Sequence, residues 1–298
     1  MSILSIVEHK AQNQISNNID LKRKKEPTVS QQTTSKQTAL ITGASGGIGL
    51  ELAREFAKDG YNLVLVARSK EKLEQLAADF AKQYNISATV VAKDLAKASA
   101  PDELYNELKT QGIQIDALVN NAGFATYGKF VEIPLEKELQ EMQLNMVTLT
   151  HLTKLFAKDM VARKNGKILN IASTAAFQPG PLMAVYYATK AYVLSFSEAL
   201  ANELEGTGVT VTVLCPGPTE SGFQERAAMQ ESKLIQKGGI AKMMTSEEVA
   251  AFGYQTSKRG QVTAIPGLMN QVGTVLPRFL PRRAVTRIIR GMQERTGH

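Results

Sequence analysis

From Thr38 onward, short runs rich in Val, Ile and Leu alternate with longer stretches whose apolar residues recur at three- and four-residue steps. The first pattern suits strands buried on both faces, and the second suits amphipathic helices laid over them. Strands are expected at Ala39–Thr42, Asn62–Ala67, Ala88–Ala92, Ala117–Asn120, Lys167–Ile171 and Thr210–Leu214, with Gln261–Ile265 as a seventh candidate. Helical stretches such as Leu50–Lys58, Lys70–Tyr84 and Pro101–Gln111 fall between them. This alternation predicts an α/β protein: a doubly wound parallel sheet in a single domain, with helices on both faces. Ligands of such sheets bind beyond the carboxyl ends of the strands, so chemistry is sought in the residues just after each strand.

The two ends of the chain break the pattern. Residues 1–37 are rich in Gln, Asn, Ser and Thr, carry the basic run Lys22, Arg23, Lys24, Lys25 and show no sustained apolar period. They read as a disordered tail. The domain proper spans 38–265. Within it, residues 218–245 are weakly periodic and contain Gly222, Gly238 and Gly239, which suits a substrate lid; Phe223, Met229, Met243 and Met244 would supply an adaptable apolar wall. Residues 266–298 form a basic amphipathic extension with Arg278, Arg282, Arg283, Arg287 and Arg290 among apolar residues, and Pro277 and Pro281 break any single long helix there. Packing on the domain or capping the pocket is the favoured reading of this extension, with weak membrane-surface contact through 268–298 as the alternative.

Composition narrows the classes. The 298 residues are 43% hydrophobic and 21% charged, enough to bury a substantial core. A single cysteine, Cys215, excludes an intrachain disulfide, and three scattered histidines give no metal-ligand spacing, so no metal is expected. No apolar run is long enough to span a bilayer and no secretory signal is evident at the start, which points to the cytoplasm. The net charge of +7 sits largely at the ends, and aromatic content is only 6% with no Trp, so a nucleic-acid partner is not expected.

The first strand leads into Thr42-Gly43-Ala44-Ser45-Gly46-Gly47-Ile48-Gly49 and then a helix. Glycines at 43, 47 and 49 free the backbone to turn sharply and approach a pyrophosphate, whose charge the helix N-terminal amides favour. Just past the second strand stands Arg68, whose guanidinium can grip a ribose 2′-phosphate, and Lys70 adds charge, so NADP(H) is favoured over NAD(H). Reducing a carbonyl leaves negative charge on oxygen and requires a proton donor. Tyr186 and Lys190, four residues apart on one helix face, can supply both needs. The same spacing recurs at Tyr105/Lys109 and Tyr254/Lys258, but only Tyr186 has a serine thirteen residues earlier, Ser173, just past a strand.

With these motifs in order, the chain resembles the short-chain dehydrogenase/reductase family over roughly residues 38–265. The resemblance implies a Rossmann-type fold and a nicotinamide cofactor held by Gly43, Ser45, Gly47, Ile48, Gly49, Arg68, Asp94, Leu95, Asn121, Ala122, Gly123, Lys190, Pro216, Gly217 and Thr219. Thr219 and Ser221 are both candidates for the nicotinamide amide. The resemblance further implies that Tyr186 is the general acid, Ser173 binds the substrate oxygen, Lys190 holds the nicotinamide ribose and tunes Tyr186, and Asn145 positions a proton-relay water. The expected activity is reversible, NADPH-dependent reduction of a lipophilic ketone or aldehyde by a homo-oligomer. The alternatives are an NAD-dependent alcohol dehydrogenase and a non-catalytic NADPH-sensing protein. Cys215 and His151 receive no chemical role.

Overall fold

A computed structural model describes residues 36–223, 227 and 243–294. The expected tail therefore lies outside the described residues apart from Lys36 and Gln37, as do Met229 and most of the expected lid.

The strands of the main sheet are β1 (Thr38–Thr42), β2 (Asn62–Ala67), β3 (Ala88–Ala92), β4 (Ala117–Asn120), β5 (Gly166–Ile171), β6 (Val209–Leu214) and the short edge strand β9 (Thr263–Ala264). All seven run parallel, in the order β3-β2-β1-β4-β5-β6-β9. Three of the expected strands begin one residue earlier, and the last shrinks from five residues to two, pairing only through Val213–Thr263 and Leu214–Ala264. The order reverses between β1 and β4, which opens a crevice at the carboxyl ends of those two strands.

Burial on both faces follows from the alternation within each strand. Ala39, Ile41, Leu63 and Leu65 point to one side, where they meet Leu52 and Phe56 of α1 (Gly47–Lys58), Phe80 of α2 (Lys70–Tyr84) and Val249 of α7 (Ser246–Lys258). Leu40, Val64 and Val66 point to the other, against Leu104 of α3 (Ala100–Thr110) and Leu152 and Phe156 of α5 (Leu149–Arg163). Each such side chain removed from water is worth about 1.5–3 kcal/mol, so the continuous apolar runs are what hold the sheet between its helical layers.

The remaining elements shape the site. Helix α4 (Leu135–Met142) runs into α5 through a π-turn at Gln143–Thr148, and α6 (Ala184–Glu203) crosses the sheet after β5. Two two-residue strands, β7 (Thr219–Glu220) and β8 (Met244–Thr245), pair in parallel and tie together the ends of the 218–245 segment. Helix α7 starts with a reciprocal cap in which Thr245 accepts from the Glu248 amide and Glu248 accepts from the Thr245 amide. Past β9 come α8 (Leu268–Val275) and α9 (Arg282–Gln293), separated at Pro277 and Pro281 as the prolines require.

Candidate active site

A continuous cleft runs along the carboxyl edge of the sheet from Arg68 past the glycine turn to Tyr186. At its centre, Gly43 and Gly47 have φ of +67° and +57°, which favours glycine. A Cβ on Gly43 would stand 2.7 Å from Nδ2 of Asn121, and one on Gly49 would overlap that nitrogen and the Gly43 carbonyl. Asn121 Nδ2 donates to the Thr42 and Gly43 carbonyls at 2.9 and 3.3 Å, while Thr42 Oγ1 accepts from the Asn121 and Ala122 amides at 2.9 and 3.0 Å. Thus the turn after β1 is laced to the turn after β4. Ser45, Gly47 and Ile48 line the cleft at the start of α1, as expected of an anion cradle. Gly49 does not: it lies behind the turn, and its missing Cβ serves close packing. Asn121 lines the cleft but spends its side-chain amide bracing the backbone.

The residues present fit a dinucleotide. At the ribose end, Arg68 and Ser69 line the cleft and are exposed. The second cation there is Lys72 and not Lys70. Lys72 lines the cleft at the first turn of α2, with its Nζ 3.8 Å from where a Gly46 Cβ would stand. Lys70 points to solvent and pairs with Glu74 at 3.7 Å. Asp94 and Leu95 line the wall after β3, where Asp94 accepts from the Ala96 amide. At the other end, Pro216, Gly217 and Thr219 border the cleft. Thr219 turns its hydroxyl onto the Gly217 carbonyl, whereas Ser221 leans over the glycine turn, its carbonyl 3.0 Å from where a Gly47 Cβ would stand.

Tyr186, Ser173 and Lys190 meet where the cleft deepens. Ser173 caps the 3₁₀ turn Thr174–Phe177, accepting from the Ala175 amide at 3.1 Å. Lys190 reaches under Tyr186, 5.7 Å from the ring centroid, and donates to the Ile171 carbonyl at the end of β5 at 2.8 Å. Burial pushes the Tyr186 phenol above its ordinary value; a hydrogen bond with Ser173 opposes the rise, and Tyr187 and Glu141 add to it. Burial also pulls Lys190 down to about 8, against the charge of Glu141. Asn145 sits behind this group in the π-turn. Its Oδ1 accepts from the Phe124 amide, and its Nδ2 donates to the Phe124 carbonyl and to Thr189 Oγ1. It does not line the cleft; its side chain ties the π-turn to the loop at Phe124 and to α6 at Thr189.

Several residues escaped the sequence. Glu141 is fully buried on α4, four residues before Asn145; its Oε2 accepts from the Thr126 amide and hydroxyl at 2.9 and 2.8 Å, and its Oε1 has no partner. Burial drives its carboxyl up to about 7 despite the Thr126 bonds and Lys190. The pocket wall beside Tyr186 is apolar, built from Ala125, Met183, Tyr187, Phe223 and Ala227, and Val285 and Ile289 on the inner face of α9 pack into the same cluster behind it. Gln293 at the end of α9 donates to the Tyr187 hydroxyl at 2.8 Å and accepts from Tyr127 at its carbonyl. The i, i+4 step to Asn145 could have drawn attention to Glu141. Nothing local links Gln293 to Tyr187, 106 positions earlier.

The decoy pairs share the geometry but not the setting. Lys109 and Lys258 lie 5.4 and 6.0 Å from the rings of Tyr105 and Tyr254, like Lys190 over Tyr186. In each, an aspartate from another element closes the pair: Asp159 takes Tyr105 at 3.0 Å and Lys109 at 2.8 Å, and Asp59 takes Tyr254 and Lys258 at 2.5 and 2.6 Å. Both pairs are structural clamps on helix surfaces. Cys215 is buried with its thiol pushed up to about 12, and His151 pairs with Asp102 at the surface.

The glycine cradle, the switch-point cleft and the buried Tyr-Lys pair define a nicotinamide-dependent oxidoreductase. The short chain dehydrogenase family model matches residues 37–232, and the chain belongs to that family. A very-long-chain 3-oxoacyl-CoA reductase of Mus musculus is 32% identical over 248 residues, covering 81% of this chain and 76% of that protein. The enzyme of the same name from Pyrenophora tritici-repentis is 34% identical over 269 residues, covering 86% and 76%. Among solved structures, a short-chain dehydrogenase from Sphingobium yanoikuyae in complex with NADPH superimposes with a TM-score of 0.72 at 31% identity, covering 83% of this chain and 97% of that one. The protein is accordingly an oxidoreductase acting between alcohol and carbonyl groups with a nicotinamide cofactor.

Proposed function

We propose that the protein reduces a lipophilic ketone to an alcohol with NADPH, using Tyr186, Ser173 and Lys190. The observation that carries this reading is the convergence of these three side chains at the deep end of a cleft whose far end holds two cations, Arg68 and Lys72. When bound, the nicotinamide supplies the hydride. Ser173 and Tyr186 hydrogen-bond the carbonyl oxygen, and Tyr186 passes it a proton as charge develops there. A phenol raised by burial is protonated at neutral pH and so is ready to act as the acid of carbonyl reduction. Lys190 holds the nicotinamide ribose, and Asn145 keeps the π-turn that fixes the backbone behind it. Arg68 and Lys72 are paired donors for a 2′-phosphate, the single group that separates NADPH from NADH.

The apolar wall of Ala125, Met183, Tyr187 and Phe223 supports a bulky, hydrocarbon-rich substrate, and the named activity of the mouse and fungal relatives supports a 3-oxoacyl thioester as the first class to try. A homo-oligomer is also proposed, since Leu135, Leu139, Met142 and Val147 leave apolar surface exposed along α4 and the π-turn. A cytoplasmic site of action is also proposed, as suits a chain whose single cysteine, Cys215, is a free buried thiol.

The test follows NADPH and NADH consumption against short and long 3-oxoacyl thioesters, bulky ketones and polar sugars, with Tyr186→Phe beside the unaltered chain. NADPH-linked turnover of apolar ketones, lost about 10²–10⁴-fold in the variant, is expected. Tight NADPH binding with no turnover of any carbonyl would favour a cofactor sensor instead.

A further inference from the structure

We infer that the outer face of α8 and α9 docks the protein onto an anionic lipid bilayer. Helix α8 is inside-out. Its inward residues are polar or small: Asn270 lies against Gly217 and donates to the Pro266 carbonyl at 2.7 Å, and Thr274 is buried, while the exposed Gln271 donates back to the Ile265 carbonyl at 3.0 Å. Its apolar residues point the other way. Leu268, Met269, Val272, Val275 and Leu276 are all exposed, and Phe279 in the following 3₁₀ turn is 79% exposed. A surface helix of a globular domain normally shows the reverse arrangement, and a contiguous apolar face of this kind marks a site of association.

The charge around that face selects the partner. Arg278, Arg282, Arg283, Arg287 and Arg290 are all exposed, and no Asp or Glu lies anywhere between 268 and 293. Arg290 has Glu294 at 3.7 Å, just past this stretch. A two-fold pairing of this face with a second copy would bring the same patch from both molecules together, arginines against arginines. An anionic headgroup layer instead offers hydrocarbon to the leucines and phenylalanine and phosphate to the guanidiniums, each basic residue near such a surface adding about 1 kcal/mol. No helix among the described residues is long and apolar enough to cross a membrane, so this is attachment to the surface.

The docking face and the pocket share a helix. On α9, Val285 and Ile289 belong to the same cluster as Tyr186 and Tyr187, while Arg283, Arg287 and Ile288 face outward. The bilayer is thereby one helix away from the wall of the site. This inference does not depend on which carbonyl is reduced.

The chain has no Trp, so Phe279→Trp provides a lone reporter. Vesicles of phosphatidylcholine with about a third phosphatidylglycerol should move its emission to shorter wavelength, whereas vesicles of phosphatidylcholine alone should do so much less. In sedimentation, the full chain should pellet with the anionic vesicles, and Leu276→Ser combined with Phe279→Ser should weaken that partition at least about tenfold. Three results would overturn the inference: an emission unmoved by vesicles; undiminished pelleting of the double variant, which would assign binding to the basic run at Lys22–Lys25; or a lipid-free dimer that the double variant dissociates, which would assign the face to a second copy.

Discussion

Replacing Glu141 with glutamine tests whether the carboxylate beneath the site is held against its own ionisation. Glu141 is fully buried, with one oxygen on Thr126 and the other unpartnered. Glu138 adds like charge, and Lys190 offers partial relief. The carboxyl rises from 4.5 to about 7, so between those values the folded state holds a proton that the unfolded state has released. Stability from this group therefore falls as pH rises through that window, by up to about 3 kcal/mol once the carboxylate is fully ionised. The amide of the Glu141→Gln variant is neutral throughout. Urea unfolding of the two proteins should give nearly equal stabilities at about pH 4, with the variant the more stable by up to about 3 kcal/mol at about pH 9. A difference that does not change with pH would refute the reasoning, because it would mean that Glu141 keeps its ordinary titration in the fold.

Other expectations follow from the same geometry. Lys190, pulled down to about 8, should lose its charge as pH rises past that value, so kcat/KM for carbonyl reduction should fall on the alkaline side, and Glu141→Gln should move that limb to lower pH because Glu141 favours the ammonium. Gly49→Ala places a methyl against Asn121 and the Gly43 carbonyl and should cost about 1–3 kcal/mol while weakening NADPH binding, measurable by thermal melts with and without cofactor. Tyr254→Phe removes a bond to the Asp59 carboxylate and should lower stability by about 1.5–3 kcal/mol while leaving kcat unchanged, in contrast to Tyr186→Phe. Arg68→Asp with Lys72→Ala should raise KM for NADPH far more than for NADH, and equal changes for both would remove the 2′-phosphate assignment.

The parallel sheet was legible because period and punctuation are local properties. A strand buried on both faces must be a continuous apolar run, and β2 and β4 fall on the residues where those runs stand. The glycine turn and the Ser173, Tyr186 and Lys190 set could likewise be read from order and spacing, since each sits just past a strand or on the helix that follows one. The serine thirteen residues before Tyr186 separated it from Tyr105 and Tyr254 without any view of the aspartates that occupy those two.

Tertiary structure alone decided what each side chain touches. Sequence placed Arg68 at the ribose end and named Lys70 beside it without reaching Lys72, because helical phase at the start of α2 settles which lysine turns toward the cleft. It counted Gly49 among cofactor contacts, although close packing on Asn121 is what requires that glycine. Asn145 entered only through the family resemblance, and Glu141 was passed over, since burial of a carboxylate depends on helices packed from distant parts of the chain. The extension at 266–298 showed amphipathic character on its own; which of its faces turned inward was set by the domain, where Tyr187 receives Gln293 and Gly217 leaves room for Asn270. Periodicity fixes an element and its stripes, but long-range contacts decide which stripe meets protein and which is left for another partner.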